Sequence, residues 1–142
     1  MILFDVNVLV NARVARHEHH SVAVELLERV VNAAEPYAVS EYVLSSYVRI
    51  VTQPSLLTPA DTAEQALAFC DRLRDRANAR IVAPGAGHWV IFAGLCRATE
   101  ARGGIVPDAY YAALAIEHNC EWISFDRDFA RFKSLRWRSP LD

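Results

Sequence analysis

The chain has 142 residues, of which 53% are hydrophobic and 23% charged, and its formal net charge is −2 at pH 7. This length fits one domain over residues 1–142, and the composition excludes a long disordered tail. No apolar run approaches the ~20 residues that cross a bilayer, and the N-terminus lacks the pattern of a secretion signal. The three cysteines, Cys70, Cys96 and Cys120, are widely spaced, which indicates reduced thiols in a cytoplasmic protein.

A carboxylate and an amide follow the first predicted strand. Ile2-Leu3-Phe4 is apolar at successive positions, which is typical of a central strand in a parallel sheet. Asp5 and Asn7 come next, ahead of a short helical turn over Val8-Leu9-Val10. Because a carboxylate gains nothing from an apolar run unless it meets a partner, Asp5 is the acid that a structural role explains least well.

The second acid, Glu41, ends a predicted strand over residues 37–40 and begins a helix that continues to Val51. Glu41 precedes Leu44 by three residues and Val48 by seven, so we expect it on the buried face of that helix. A carboxylate in that position needs a compensating cation or hydrogen bonds.

The helices and strands between the candidate acids are predicted from the periodicity of hydrophobic residues and from residues that typically cap helices. They are helices over residues 22–34, 58–76 and 87–101 and strands over residues 80–83 and 135–138, the last at an edge of the sheet. Ser21 is placed to cap the first of these helices. Thr58 and Pro59 are placed to open the second.

Three more acids stand at predicted element ends. Asp108 begins a helix that runs to about His118, and Asp126 and Asp128 follow a strand over residues 121–125. Taken singly, each of these acids also fits a structural role as a helix cap or a turn residue.

The alternation of strands and helices predicts an α/β fold with a mainly parallel central sheet and helices on both faces. Ligands of such folds bind beyond the carboxyl ends of the strands, where Asp5, Glu41, Asp108 and Asp126 are expected to meet. Carboxylates that lie close together stay ionised only with a cation, and Mg²⁺ or Mn²⁺ suits an all-oxygen site. The pattern therefore favours metal-dependent hydrolysis of a phosphodiester.

The net charge of −2 conceals an uneven distribution of bases. When the five candidate acids are set aside, the 17 acids fall to 12 against 15 bases, and 14 of those bases are Arg. Several bases crowd the C-terminus: Arg127, Arg131, Lys133, Arg136 and Arg138. Arg suits phosphate and base recognition, although an ordinary solvated surface explains these residues equally well.

Other candidate sites have weaker patterns. His17, His19 and His20 lie in a polar loop, and no Cys or distant His stands at a matching spacing for a soft metal. Ser40 and Ser124 lack the His and Asp pattern of a hydrolase triad.

Four segments, in order, resemble the motifs of PIN-domain proteins. They are Leu3-Phe4-Asp5-Val6-Asn7-Val8-Leu9, Ser40-Glu41-Tyr42-Val43-Leu44, Val106-Pro107-Asp108-Ala109 and Ser124-Phe125-Asp126-Arg127-Asp128-Phe129. The closing residues 135–141 are similar to the tail of the VapC toxins within that family. The resemblance spans nearly the whole chain, with residues 58–104 matching in pattern only.

The resemblance implies a three-layer α/β/α sandwich and a Mg²⁺- or Mn²⁺-dependent endoribonuclease that is the toxin of a toxin–antitoxin pair. The implied catalytic and metal-binding residues are Asp5, Glu41, Asp108 and Asp126. The implied supporting residues are Asn7, Asp128 and Ser124, and the candidate RNA-binding residues are Arg49, Arg127 and Arg131. The resemblance also implies a homodimer that a small antitoxin silences, often with a basic side chain in the acid cluster.

Two other interpretations remain open. One is a catalytically silent PIN-fold binding module, whose acidic rim only receives a basic segment of a partner. The other is a phosphatase with Asp5 as its nucleophile, but Asn7 stands where that class has a second acid. The only lysine, Lys133, lies in an Arg-rich tail, which also disfavours the phosphatase.

Overall fold

A five-stranded parallel sheet forms the centre of the protein. The strands of this computed structural model, which describes residues 1–142, are β1 (Ile2–Phe4), β2 (Tyr37–Ser40), β3 (Ala79–Val82), β4 (Glu121–Ile123) and β5 (Trp137–Arg138). Their order is β3-β2-β1-β4-β5, and every neighbouring pair is parallel. The predictions of a mainly parallel sheet and of a C-terminal edge strand are therefore confirmed.

Six α-helices surround the sheet. They are α1 (Val6–Arg13), α2 (His20–Val31), α3 (Glu41–Val51), α4 (Ala63–Arg74), α5 (His88–Thr99) and α6 (Ile105–Glu117), and a 3₁₀ helix follows β4 over Arg127–Arg131. Helix α1 packs with α2 and with α3, α3 packs with α4, and α5 packs with α6. Since crossovers between parallel strands are right-handed and the chain reverses direction between β3 and β4, the two groups cover opposite faces of the sheet. None of these helices has both the length and the apolar character that a membrane span requires.

The helix starts differ from the predictions where a stronger local signal operates. The turn expected after Asp5 is a full eight-residue helix, α1, which buries Val8 and Leu9. Helix α2 begins at His20, so Ser21 is inside it and does not cap it. Helix α4 begins at Ala63 and not at residue 58.

A capping box sets the start of α4. The Thr62 hydroxyl accepts a hydrogen bond from the Gln65 backbone N–H at 3.2 Å, and the Gln65 side chain accepts one from the Thr62 N–H at 2.9 Å. These two hydrogen bonds satisfy two backbone N–H donors at the N-terminus of the helix. A helix start at Thr58 would lack this reciprocal pair. The preceding residue, Asp61, is held instead by Arg13 of α1, whose Nε donates at 3.0 Å.

Helix α6 packs through small side chains. Ala109, Ala112, Ala113 and Ala115 have no exposed surface, and they lie on the turns that follow Asp108. Small residues allow the helix backbone to approach its neighbours closely. This packing fixes the depth at which the first turn of α6 presents Asp108.

Candidate active site

Asp5 lies at the carboxyl end of the central strand β1 and is only 7% exposed. Its Oδ2 accepts a hydrogen bond from the Ser124 hydroxyl at 2.6 Å and another from the Asn7 side-chain amide at 3.0 Å. Burial raises the pKa of Asp5 to about 6, against the lowering effect of the Ser124 hydrogen bond, and the charge of Asp108 adds to the rise. Asp5 is therefore a carboxylate whose negative charge is poorly compensated by the protein alone.

Asn7 and Ser124 join the end of β1 to the segment after β4. Adjacent pairing of Phe4 with Ile123 in the sheet brings the two segments side by side. The Asn7 amide also donates to the Ser124 Oγ at 2.9 Å, and its Oδ1 accepts from the Phe125 N–H at 3.2 Å. Asn7 and Ser124, which the family resemblance implied as supporting residues, thus both contact Asp5.

Asp108 is half-buried in the first turn of α6. Burial is the main cause that raises its pKa; the negative charges of Asp126 and, less strongly, Asp128 raise it further, while Arg131 opposes the shift. Asp108 in turn raises the pKa of Asp5, so this acid lies between Asp5 and the two aspartates that follow β4 in a chain of charge effects.

Asp126 and Asp128 are exposed and hold the 3₁₀ helix after β4. The Asp126 Oδ1 accepts a hydrogen bond from the Asp128 backbone N–H at 2.8 Å, which is the capping role considered from the sequence. Asp128 forms an ion pair with Arg131 at 3.4 Å, and Arg127 forms one with Asp142 at 3.0 Å. Two of the three candidate RNA-binding arginines therefore already contact carboxylates.

Glu41 occupies a different environment from the aspartates. Its side chain is 60% exposed and forms an ion pair with Arg74 of α4 at 2.9 Å. The prediction that Glu41 lies on the buried face of α3 is wrong, because the first turn has no preceding turn to cover it and the long side chain extends toward Arg74. The side chains of the protein form no group of three or more His, Cys, Asp or Glu residues that could hold a metal ion in this conformation.

A set of side-chain contacts between α3 and α6 was not predicted from the sequence. The Ser46 and Tyr111 hydroxyls are hydrogen-bonded at 3.2 Å, and the Tyr42 ring lies 5.4 Å from that of Tyr111. Burial raises the pKa of Tyr111, and the charges of Asp5 and Arg49 act on it in opposite directions. The available sequence signal was the spacing of Tyr42, Ser46 and Arg49, which puts them on one face of α3.

The histidines serve structural roles. The His20 ring is within hydrogen-bonding distance of the Asn11 carbonyl at 2.8 Å, and the buried His88 ring is 3.0 Å from the Tyr110 carbonyl. His19 stacks on Phe125 with ring centroids 4.8 Å apart.

Comparison with known proteins identifies the family. The model of the PIN domain matches residues 2–135. The chain belongs to the PIN-domain family. Among curated PIN-domain proteins, VapC ribonuclease Mb2897 of Mycobacterium bovis is 40% identical over 142 residues, which cover all of this chain and 97% of that relative. This PIN-domain protein therefore belongs with the VapC ribonucleases, as its motifs suggested.

Solved structures share the fold. VapBC2 from Rickettsia felis, bound to a DNA fragment from its promoter, superposes with a TM-score of 0.70 at 20% identity and covers 98% of each chain. The Mycobacterium tuberculosis toxin VapC20, described as cleaving the sarcin-ricin loop, gives a TM-score of 0.64 at 18% identity over 92% of this chain and 93% of that one. These similarities confirm the predicted PIN-like α/β fold.

Proposed function

We propose that this PIN-domain protein is a Mg²⁺- or Mn²⁺-dependent endoribonuclease that hydrolyses RNA phosphodiester bonds as the toxin of a toxin–antitoxin pair. The observation that carries the proposal is the buried carboxylate Asp5, whose pKa is raised to about 6 and which interacts with Asp108. The relationship to VapC ribonucleases over the whole chain supports the choice of RNA as substrate.

The residues around Asp5 suit a hard divalent cation. Carboxylate, amide and hydroxyl oxygens are the donors that Asp5, Asn7, Asp108 and Ser124 offer, and Mg²⁺ is often held by one or two carboxylates with water and substrate phosphate. Asp5 and Asp108 would hold the ion, and Asp126 and Glu41 would complete the site only after side-chain movement, because no three acids surround one point in this conformation. The chemistry supplied there would be activation of a water molecule and stabilisation of charge on the phosphate.

The protein's own groups prepare the site for that chemistry. The hydrogen bonds from Ser124 and Asn7 favour the ionised form of Asp5 and fix the orientation of its carboxylate. Glu41 would have to leave its exposed ion pair with Arg74 to join the aspartates, and opening that pair requires little free energy because surface ion pairs are weak. Arg49 is exposed and forms no ion pair, so it is free to contact an RNA phosphate.

Substitution of Asp5 tests the proposed ribonuclease activity. We expect Asp5→Asn to abolish Mn²⁺-dependent cleavage of a fluorescent RNA pool, because the substitution removes the central anionic ligand. Asp75→Asn, which changes an exposed acid at the end of α4, serves as the matched control and should cleave normally. Circular dichroism checks that both variants are folded. Undiminished cleavage by the Asp5 variant would contradict the proposal.

The second candidate is a catalytically silent binding module, which the engagement of Glu41 by Arg74 favours. Titration calorimetry with Mn²⁺ near neutral pH separates the two functions. Heat of binding that appears for the wild-type protein and disappears for Asp5→Asn supports the metal-dependent enzyme. Absence of Mn²⁺ binding, with and without RNA, supports the binding module.

The proposed partners follow from the toxin function. We propose that the protein forms a homodimer in the cytoplasm and is silenced by an antitoxin that presents a basic side chain to the acids. A toxin–antitoxin complex from Klebsiella pneumoniae has a similar fold and supports this proposal. Co-expression with the product of a small reading frame directly upstream tests this. A stable complex without ribonuclease activity is expected, and an active, uncomplexed protein would contradict it.

A further inference from the structure

Four aromatic rings form a continuous surface beside the acids. We call Trp89, Phe92, Tyr110 and Tyr42 the aromatic strip. The ring centroids of successive members are 5.4, 5.7 and 5.7 Å apart, so each ring contacts the next. The strip runs from α5 across α6 to α3.

Both ends of the aromatic strip are open to solvent. Trp89 is 69% exposed and Tyr42 is 55% exposed, although each contacts another ring. Large aromatic side chains usually bury most of their surface, so exposed rings in a connected row indicate a binding surface.

The strip adjoins the candidate active site at its Tyr42 end. Tyr111 lies three residues after Asp108 and therefore shares its face of α6. The Tyr42 ring also contacts Tyr111, whose pKa responds to the charge of Asp5. A nucleic acid with a phosphate at the aspartates would therefore place neighbouring bases at Tyr42.

One arginine without an ion pair lies on the same side of α3 as Tyr42. Arg49 lies seven residues, or about two helical turns, after Tyr42 and so shares its face of the helix. Arg49 is exposed and forms no ion pair. An aromatic surface with a free guanidinium at its edge combines the two features that bind single strands, namely stacking and backbone attraction.

We propose that the aromatic strip stacks unpaired bases of the RNA that enters the acid site, with Tyr42 and Trp89 as the exposed stacking residues. This proposal rests on the proposed ribonuclease function and assigns the side chains that stack the unpaired bases of its substrate. Bases in a regular duplex are already stacked on each other and offer no free faces to the strip.

Fluorescence anisotropy tests the proposal with a labelled 12-nucleotide single-stranded RNA of mixed sequence. The full-length protein carries Asp5→Asn so that the probe stays intact. Because alanine substitution of a stacking aromatic costs about 1–3 kcal/mol per base, Tyr42→Ala and Trp89→Ala should each raise the Kd by about 5- to 150-fold. Tyr42→Phe, which keeps the ring, should recover most of the affinity.

Matched controls identify the cause of any change. Leu56→Ala alters a side chain that is 55% exposed but lies outside the strip, and it should change the Kd by no more than about twofold. A blunt duplex of the same sequence should bind weakly and show no dependence on Tyr42 or Trp89. Thermal unfolding of each variant excludes loss of folded protein as the cause.

The outcomes separate this proposal from the proposed function. Unchanged Kd values for Tyr42→Ala and Trp89→Ala overturn the aromatic strip as an RNA surface, while Mn²⁺-dependent cleavage by the wild-type protein would still support the ribonuclease. Wild-type protein that cleaves no RNA defeats the proposed function itself. If Trp89→Ala leaves RNA binding intact but converts a dimer into a monomer in sedimentation, the strip is a protein interface and the proposal is wrong.

Discussion

At the residue scale, Asp5 combines burial with an incomplete set of compensating contacts. Two side-chain donors, Ser124 and Asn7, bind its Oδ2, yet its pKa remains raised to about 6 because burial outweighs those bonds. A protein that only needed to fill this position would gain stability from a neutral side chain. The retained carboxylate therefore indicates a function that requires negative charge, which agrees with a cation site.

Ser124→Ala should shift the pH dependence of cleavage. The Ser124 hydrogen bond favours the ionised form of Asp5, so its loss raises the pKa of Asp5 further and the ionised fraction falls at mildly acidic pH. We expect the acidic limb of the pH–rate profile, measured with Mn²⁺, to move to higher pH, with a stability loss of about 1 kcal/mol. Ser134→Ala, at an exposed position, is the control. An acidic limb that stays in place would show that Ser124 does not tune Asp5.

At the element scale, the packing of helices decides which acids can meet. Helix α6 packs through its alanine face, and its first turn places Asp108 close enough to Asp5 for the charge of Asp108 to raise the pKa of Asp5. The start of α3 instead presents Glu41 to Arg74 on α4. Glu41 is consequently the acid whose role in the proposed site depends most on a change of side-chain conformation.

Two substitutions across the α3–α4 contact test the role of Glu41. Glu41→Gln and Arg74→Gln remove the same ion pair, which is partly exposed and should contribute less than about 1 kcal/mol to stability. If Glu41 serves the metal site, only Glu41→Gln should reduce Mn²⁺-dependent cleavage. The rate should fall by about tenfold or more, because the loss of one electrostatic contact raises the barrier by about 1.4 kcal/mol. Equal activities of the two variants would assign Glu41 a purely structural role.

At the scale of the whole molecule, strand order assembles the site. Strand β1 lies in the middle of the sheet between β2 and β4, so the direction of chain progression reverses beside Asp5. Such reversals leave a crevice at the carboxyl ends of the strands, which is where open α/β sheets bind ligands. The crossover from β3 to β4 then delivers α6 to the same end. Topology thus explains why acids from distant parts of the chain interact.

The stability of the metal-free protein should reflect the ionisation of Asp5. Its pKa is about 6 in the folded protein against an ordinary 3.8, so between these values the folded state binds more protons than the unfolded state and stability falls as pH rises. Asn at this position cannot ionise. We therefore expect the free energy of unfolding of Asp5→Asn to increase relative to that of the wild type as the pH rises from about 4 to 6. The increase should be about 3 kcal/mol at most and should persist at neutral pH.

Urea unfolding in EDTA measures this difference across the pH range. Asp75→Asn, which removes an exposed acid, should show no comparable pH-dependent gain. A difference between Asp5→Asn and wild type that stays constant from pH 4 to 8 would contradict the raised pKa of Asp5.

The sequence by itself determined the fold class, the parallel strands and the family, because these depend on local signals. An apolar run followed at once by an acid, as at Asp5, is visible without any knowledge of distant contacts. Where two local signals competed, as at Thr58 and Thr62, the reciprocal bonds of the capping box decided the start of α4, and the simpler cap pattern was misleading.

Only the tertiary structure decided what each acid contacts. The ion pair of Glu41 with Arg74, the capping bond of Asp126 and the hydrogen bond from Ser124 to Asp5 depend on which elements pack together. The aromatic strip arises in the same way, since its rings come from three separate helices. Sequence spacing places a side chain on a face of its own helix, but the partner that satisfies its charge or covers its ring is supplied by another part of the chain.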